Sequence, residues 1–288
     1  METLVLKGKP VVEKIYQDLK EQVDHLDTAP RLTVVMVGQD PSSLSYIKSK
    51  TKAAAKIGID ASTINLPEDI SETDLIDEIK KILQRDQPHG ILIQLPLPPQ
   101  LNVENILLFI PPQKDVDGFH RCNLGAMIRG TKAHYPCTPA GILELLNYYN
   151  IPLSGKNVVV VGRSLIVGKP LAVMLMEKNR DATVTVCHSR TANIAEHTLR
   201  ADIVVAAAGR PGLITAEMVK PDSVIIDVGT NPVSDPSRKK GYKLVGDADY
   251  EGLLNKVAAI TPVPGGVGPL TVAMLMKNTV QSKLDSMS

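Results

Sequence analysis

Apolar residues come in short runs separated by amphipathic stretches, from one end of the chain to the other. Runs at 32–37, 62–66, 91–95, 158–161, 183–186, 203–206, 223–228 and 258–260 predict strands. Several are unbroken, as Val158-Val159-Val160-Val161 is, which is the pattern of a strand covered by helices on both faces. Between them, stretches 42–57, 73–83, 104–109, 140–149, 171–177 and 194–199 repeat with helical spacing, and a last one occupies 269–283. Strand alternating with helix predicts βαβ units, parallel sheets and an α/β class.

The pattern divides in two. Pro111-Pro112-Gln113-Lys114 breaks the first series, and Ile151-Pro152-Leu153-Ser154-Gly155 leads into the second. Between them Thr138-Pro139, a capping residue followed by Pro in the first helical turn, starts a helix that could bridge the two. The expected architecture is two α/β domains around a cleft. Residues 1–140 form the first and 141–268 the second, which is Rossmann-like with a parallel sheet. Helix 269–288 is expected to return to the first domain.

Composition removes several classes of function. Of 288 residues 43% are apolar, enough to fill a large core, and 32 Lys and Arg against 31 Asp and Glu leave a net charge of +1. That balance argues against nucleic acid or an anionic membrane as partner. With 3% aromatics and no Trp, a stacking platform for single strands is not expected either. No run approaches the length of a membrane span, and the start, Met1-Glu2-Thr3-Leu4, lacks a basic then apolar leader. Cys122, Cys137 and Cys187 make no CxxC pair and no disulfide framework, so a cytoplasmic setting is expected. The six histidines are scattered, and Asp115 and Asp117 have no third ligand at metal spacing, so no metal site is expected.

Three features carry chemistry. The first is Gly162-Arg163-Ser164-Leu165-Ile166-Val167-Gly168-Lys169-Pro170, a turn between the valine strand and an apolar helix. A strand, a tight turn and a helix start present N–H groups to a phosphate. It is not a phosphate loop of the GxxxxGK[ST] kind, because five residues separate the glycines and Pro170 stands where the hydroxyl should be. It matches a GxGxxG fingerprint loosely, with Ser164 in place of the second Gly, and an ordinary βα turn accounts for it as well. The next strand runs into Cys187-His188-Ser189-Arg190-Thr191, without the acid that would bind ribose hydroxyls. Arg163, Ser189 and Arg190 offer donors for a 2′-phosphate instead, so a bound dinucleotide would be NADP over NAD; a solvated helix start at Ser189-Arg190 is the plainer alternative.

The second is a lysine on the inward face of its helix. At about 100° per residue, Tyr46, Lys50, Ala53, Ala54 and Ile57 share one side, while Lys48, Lys52 and Lys56 take the other. Burial would lower the pKa of Lys50 and make its neutral amine accessible. A lysine snorkelling at the stripe's edge fits the wheel equally. The third is polar punctuation at strand ends and loops: Gln94 after Ile91-Leu92-Ile93, the acids Asp115 and Asp117, and the loop Pro262-Val263-Pro264-Gly265-Gly266-Val267-Gly268-Pro269. Strand ends are where open α/β sheets bind ligands.

Taken in order, these segments resemble the bifunctional methylenetetrahydrofolate dehydrogenase/methenyltetrahydrofolate cyclohydrolase family. The resemblance spans nearly the whole chain. It rests on Tyr46-Ile47-Lys48-Ser49-Lys50, Gln94-Leu95-Pro96-Leu97-Pro98, Lys114-Asp115-Val116-Asp117-Gly118-Phe119-His120, Pro136-Cys137-Thr138-Pro139, Val161-Gly162-Arg163-Ser164 and the Pro262–Pro269 loop. It implies NADP-dependent oxidation of 5,10-methylenetetrahydrofolate to the 5,10-methenyl form, then hydrolysis to 10-formyltetrahydrofolate, in one-carbon metabolism that serves purine biosynthesis. Tyr46 and Lys50 would face the folate, with Lys50 as base or proton relay. Gln94, flanked by Ile93 and Leu95, would hold the lysine. Asp117 would bind the pterin ring, and Pro264, Gly265, Gly266, Val267 and Gly268 would border the substrate. Gly162, Arg163 and Ser164 match cofactor contacts, with Ser189 near the 2′-phosphate. Thr230 stands where the family usually has Ile beside the cofactor. A homodimer formed through the cofactor domain is also implied. A dehydrogenase without hydrolase activity, or a silent folate- or nucleotide-binding module, would share these residues.

Overall fold

β1 (Leu4–Val5) and α1 (Gly8–Asp24) lead into β2 (Arg31–Val37), α2 (Pro41–Ile57), β3 (Asp60–Leu66), α3 (Glu72–Arg85) and β4 (Gly90–Ile93). Three helices follow: α4 (Val103–Leu107), α5 (Arg121–Ile128) and α6 (Cys137–Tyr148). The chain continues through β5 (Asn157–Val161), α7 (Gly168–Met176), β6 (Thr183–Cys187), α8 (Ile194–Thr198), β7 (Ile203–Ala206) and β8 (Val224–Asp227). It ends with β9 (Asn231–Ser234), β10 (Tyr242–Val245), α9 (Tyr250–Leu253), β11 (Ala259–Ile260) and α10 (Gly268–Asp285). This computed structural model describes residues 2–238 and 241–287, the side chains at 41, 42 and 45 excepted.

The chain groups into two units. One holds Glu13–Cys137 and Val272–Ser288, the other Met1–Val12 and Thr138–Thr271. The first twelve residues therefore leave the domain that a division at residue 140 would give them. The cause is a pairing across the whole sequence: Leu4 and Val5 lie parallel to Ala259 and Ile260 of β11. A two-residue strand has no periodicity to read, so nothing local announces it.

The first unit is built on a three-stranded parallel sheet in the order β3-β2-β4. Strand β2 is buried from Leu32 to Val37, as its unbroken apolar run requires. Helix α3 begins at the cap Ser71, whose hydroxyl accepts the N–H of Asp74 at 3.1 Å. It buries Leu75, Ile79 and Ile82, at four- and three-residue steps, against Val35, Val37, Ile91 and Ile93. Each such side chain contributes about 1.5–3 kcal/mol on burial, and Ile79→Ala would cost about 2–5 kcal/mol. Helix α2 starts at Asp40, whose carboxylate accepts the N–H of Ser43 at 2.7 Å. The far end of α10 belongs to this unit: Asn278 donates to the carbonyls of Val116 at 2.9 Å and Tyr135 at 3.1 Å.

The second unit carries a six-stranded sheet in the order β1-β11-β8-β7-β5-β6, with every pair parallel. One face buries Val159, Val161, Val204, Ala206, Ile225 and Ile260, alternate residues of neighbouring strands, against Ala201, Ile214, Leu253 and Val257. From β5 the chain passes to β6 on one side and then to β7 on the other. That reversal opens a crevice beyond the carboxyl ends of β5 and β7. A separate hairpin, β9 with β10, pairs antiparallel. Its strands were not expected, because Asn231-Pro232-Val233-Ser234 is too short and polar to stand out from a loop.

Candidate functional site

Lys50 sits on α2 in the first unit. Ala53, Ala54 and Ile57 on its side of the helix are buried, and Lys48, Lys52 and Lys56 on the other side are exposed. Its amine donates to Oε1 of Gln94 at 2.9 Å. Gln94 follows β4 directly, one residue beyond the strand rather than inside it, and is 8% exposed. Its backbone N–H still bonds to Val35 at 2.8 Å, which keeps it in line with the sheet. Its side-chain nitrogen donates to the carbonyl of Leu95 at 2.7 Å. That bond sets the orientation of the amide: nitrogen to the carbonyl, oxygen to the lysine.

Asp117 and Cys137 lie close enough to act on the amine. Burial holds the pKa of Lys50 below its usual value, and the negative field of Asp117 opposes this without cancelling it. Asp117 is only partly covered in surface area, yet desolvation of its carboxyl pushes it up to about 6, against the pull of Lys50. Asp115 adds a like charge nearby and raises Asp117 further. Asp115 is itself buried and accepts from the His120 N–H at 2.7 Å and the Asn123 amide at 3.0 Å. It pins the Asp115–His120 turn rather than facing outward.

Cys137 was not among the candidates, and the structure brings it here. The residue is 1% exposed, its thiol donates to the Val116 carbonyl at 3.4 Å, and the Asp117 carboxylate lies close enough to act on it. Burial and the two carboxylates hold it as a thiol, with a pKa well above the ordinary value. Asn278 joins the sulfur at 3.7 Å. A cysteine in an otherwise apolar helix start gives no sign of this in sequence; only the fold places residues 116–117, 137 and 278 together. Tyr46 lies one turn before Lys50 and is 53% exposed, leaving a flat ring open. Ile93 is buried beneath Gln94, and Leu95 is partly exposed beyond it.

The second unit brings a different set together at its crevice. Gly162 follows β5 directly with φ of 137°, and its N–H donates to the Cys187 carbonyl at 2.9 Å. A side chain there would run into the carbonyl of Ala207, which follows β7. Only glycine lets the two strand ends close up. Ser164 is exposed, and its hydroxyl oxygen accepts the N–H groups of Val167 at 3.1 Å and Gly168 at 3.4 Å. It therefore caps the turn, and its own O–H remains to be donated. Arg163, Ser189, Arg190 and Thr230 are all exposed. His188 and Thr191 tie the loop after β6 through the bond from the His188 N–H to the Thr191 hydroxyl, 2.9 Å. The crevice thus has a cradle open to a phosphate, cationic and hydroxyl donors after β6, and no acid where ribose hydroxyls would need one. These residues fit a dinucleotide carrying a 2′-phosphate.

The proline- and glycine-rich loop leaves β11 in this same unit. Pro264, Gly265 and Gly268 are exposed, whereas Gly266 and Val267 are buried. The N–H of Gly8 bonds to Gly265 at 2.8 Å, so the N-terminal segment steadies the loop. Among the described residues no group of three His, Cys, Asp or Glu could hold a metal ion. No helix among them is long and apolar enough to cross a membrane.

Residues 6–117 match the family profile described as the catalytic domain of tetrahydrofolate dehydrogenase/cyclohydrolase. Residues 136–287 match that of the NAD(P)-binding domain of the same proteins. A protein of Chlorobium phaeobacteroides called bifunctional protein FolD is 49% identical over 286 residues, covering 96% of both chains. One of the same name from Chlamydia felis is 48% identical and covers 99% of this chain and 100% of its own. Among solved structures, the bifunctional FolD methylenetetrahydrofolate dehydrogenase/cyclohydrolase of Campylobacter jejuni superposes with a TM-score of 0.93 at 42% identity, over 99% of each chain. The Trypanosoma brucei enzyme, complexed with NADP cofactor and inhibitor, gives 0.94 at 40% identity, over 100% of this chain and 99% of its own.

Proposed function

The chain belongs to the tetrahydrofolate dehydrogenase/cyclohydrolase family, and from that premise we propose how its residues divide the work. It is a bifunctional enzyme of folate one-carbon chemistry. It oxidises 5,10-methylenetetrahydrofolate to the methenyl form with NADP, and hydrolyses that product to 10-formyltetrahydrofolate. The observation that carries the residue assignment is the half-buried Lys50 amine, bonded to Gln94 and held below its ordinary pKa by desolvation.

NADP, when bound, supplies the hydride acceptor for the first reaction. The carbon that is oxidised lies between two nitrogens, whose lone pairs drive hydride loss, so that step needs no side-chain base. Gly162 lets the chain turn tightly under a phosphate, and Ser164 has a hydroxyl proton to give it. Arg163 and Ser189 supply donors for the 2′-phosphate. Thr230, in place of the family's usual Ile, offers its backbone.

Hydrolysis is different. Water adds to a cationic carbon, and protons must leave. Gln94 accepts one N–H of Lys50 and so directs the rest of the amine, lone pair included, away from itself. A cationic substrate disfavours the charged form of Lys50 further, so substrate binding prepares the base. Once Lys50 has taken a proton, the Asp117 field stabilises the ammonium. Asp117 also serves as acceptor for the pterin ring, and Tyr46 offers its open face to a flat ring system. The Pro264–Gly268 loop supplies backbone to the substrate.

The protein acts in the cytoplasm as a homodimer, and its 10-formyl product feeds purine biosynthesis. Three free thiols support a reducing compartment. Parallel assay of both reactions with NADP and NAD tests the reading. Turnover of the methylene substrate with NADP and hydrolysis of the methenyl substrate are both expected. Absence of hydrolysis would reduce the protein to a dehydrogenase, and absence of both would leave a binding module.

A further inference from the structure

Two acids of the second unit are buried at the carboxyl edge of its six-stranded sheet. Asp227 closes β8 and is 2% exposed; Asp247 follows β10 and is fully covered. Burying two carboxylates side by side costs several kcal/mol per ion unless their bonds are well made, and here they are.

Asp247 accepts three successive backbone N–H groups, from Ala208 at 2.6 Å, Gly209 at 2.8 Å and Arg210 at 2.9 Å. It accepts a fourth bond from the Asn231 amide at 2.8 Å. Asp227 accepts from the N–H groups of Gly229 at 2.9 Å, Asp247 at 2.8 Å and Ala248 at 2.9 Å. Its backbone is tied to the Thr261 hydroxyl at 2.7 Å, where β11 passes into the glycine loop. Two glycines make room: a side chain at Gly229 would strike Asp247, and one at Gly246 would strike the Asp227 carboxyl.

The segments so gathered are not arbitrary. Ala207–Arg210 follows β7, and Ala207 bonds through its N–H to Val161 at 2.8 Å, beside the Gly162 turn. The Ala207 carbonyl is the atom that forbids a side chain at Gly162. Gly229 precedes Thr230. The two carboxylates thus brace the loops after β7 and β8, both flanking the crevice that the strand order opens.

We propose that Asp247, supported by Asp227, is the positioning residue of the dinucleotide site: it holds the 208–210 turn in the one shape that seats the Gly162 cradle. This rests on the NADP reading above. A neutral amide at 247 has one accepting oxygen, and its NH2, standing where the other carboxylate oxygen was, points a donor at backbone N–H groups that need an acceptor. The turn then relaxes away from the cradle.

The test is NADP binding by titration calorimetry to Asp247→Asn and to the unmodified protein, with a melting curve and methenyl hydrolysis measured without dinucleotide. The expected result is an NADP Kd raised at least tenfold, a dehydrogenase KM for NADP raised more than kcat is lowered, and NADP affinity affected at least five times more than hydrolysis. A folded Asp247→Asn protein that binds NADP within twofold of the unmodified one overturns the proposal. So does a variant that loses hydrolysis and NADP affinity in equal measure. If Asp247→Asn does not fold, Asn231→Ala removes one of the four bonds and leaves the charge; about threefold weaker NADP binding supports the proposal, and unchanged binding overturns it. An unmodified protein that does not bind NADP overturns the cofactor reading and this inference with it.

Discussion

Replacing Lys50 with Met separates proton transfer from substrate binding. Methionine fills a similar length of buried space, so no large cavity opens. What is lost is the amine and its 2.9 Å bond to Gln94. A buried acceptor left without its donor costs about 1–3 kcal/mol, offset in part because a desolvated amine no longer has to be housed. Asp117, already pushed up to about 6, loses the positive neighbour that restrains it and rises further, so more of it is neutral at neutral pH. That weakens folate by about tenfold at most, because Asp117 stays in place as an acceptor and only the charged share of its population falls. The chemical loss is larger, because a positioned general base is worth about 10²–10⁴ in rate. Lys50→Met should therefore hydrolyse methenyltetrahydrofolate at least about 100-fold more slowly, with folate Kd changed by about tenfold or less. Steady-state hydrolysis, corrected for the spontaneous reaction in buffer, and calorimetric folate binding provide the two numbers. Hydrolysis within tenfold of the unmodified protein, or losses of rate and affinity that run in parallel, would refute a role for this amine in proton transfer.

Asp117 makes a pH prediction with a definite sign: its carboxylate is lost as pH falls through about 6, so the KM for folate should rise below that pH, and Asp117→Asn should flatten the profile while raising KM throughout. Arg163→Ala should raise the KM for NADP by about 10- to 100-fold, the worth of a charged contact, and that for NAD far less; equal effects would mean that no 2′-phosphate is bound there. Gly162→Ala places a side chain against Ala207 at a φ of 137°, which should cost at least about 1–3 kcal/mol and abolish NADP binding, read by a melting curve and calorimetry.

Much of this was written locally. Continuous valine and isoleucine runs determine buried parallel strands wherever they occur, because only helices on both faces can cover them. The helical wheel alone turned Lys50 inward and Lys48, Lys52 and Lys56 outward, and an amphipathic helix keeps its faces in any fold. The missing acid after β6 is likewise legible, since it lies next to its strand in the chain. Helix α1 could have been read too: Val11, Ile15, Leu19 and Val23 recur every four residues and are buried.

What the tertiary structure decided are the contacts whose partners are far apart in sequence. A snorkelling lysine and a buried one have the same wheel; the bond from Lys50 to Gln94, 44 residues on, separates them. The pairing of Leu4 and Val5 with β11, the thiol of Cys137 beside Asp117, and the two carboxylates that gather the loops after β7, β8 and β10 have no local signature. Burial, and with it the displaced pKa values, is a property of the surroundings rather than of the residue. A single chain read in order carries the periodicity of its elements but not the desolvation that makes an amine a base or lets an acid serve as a brace.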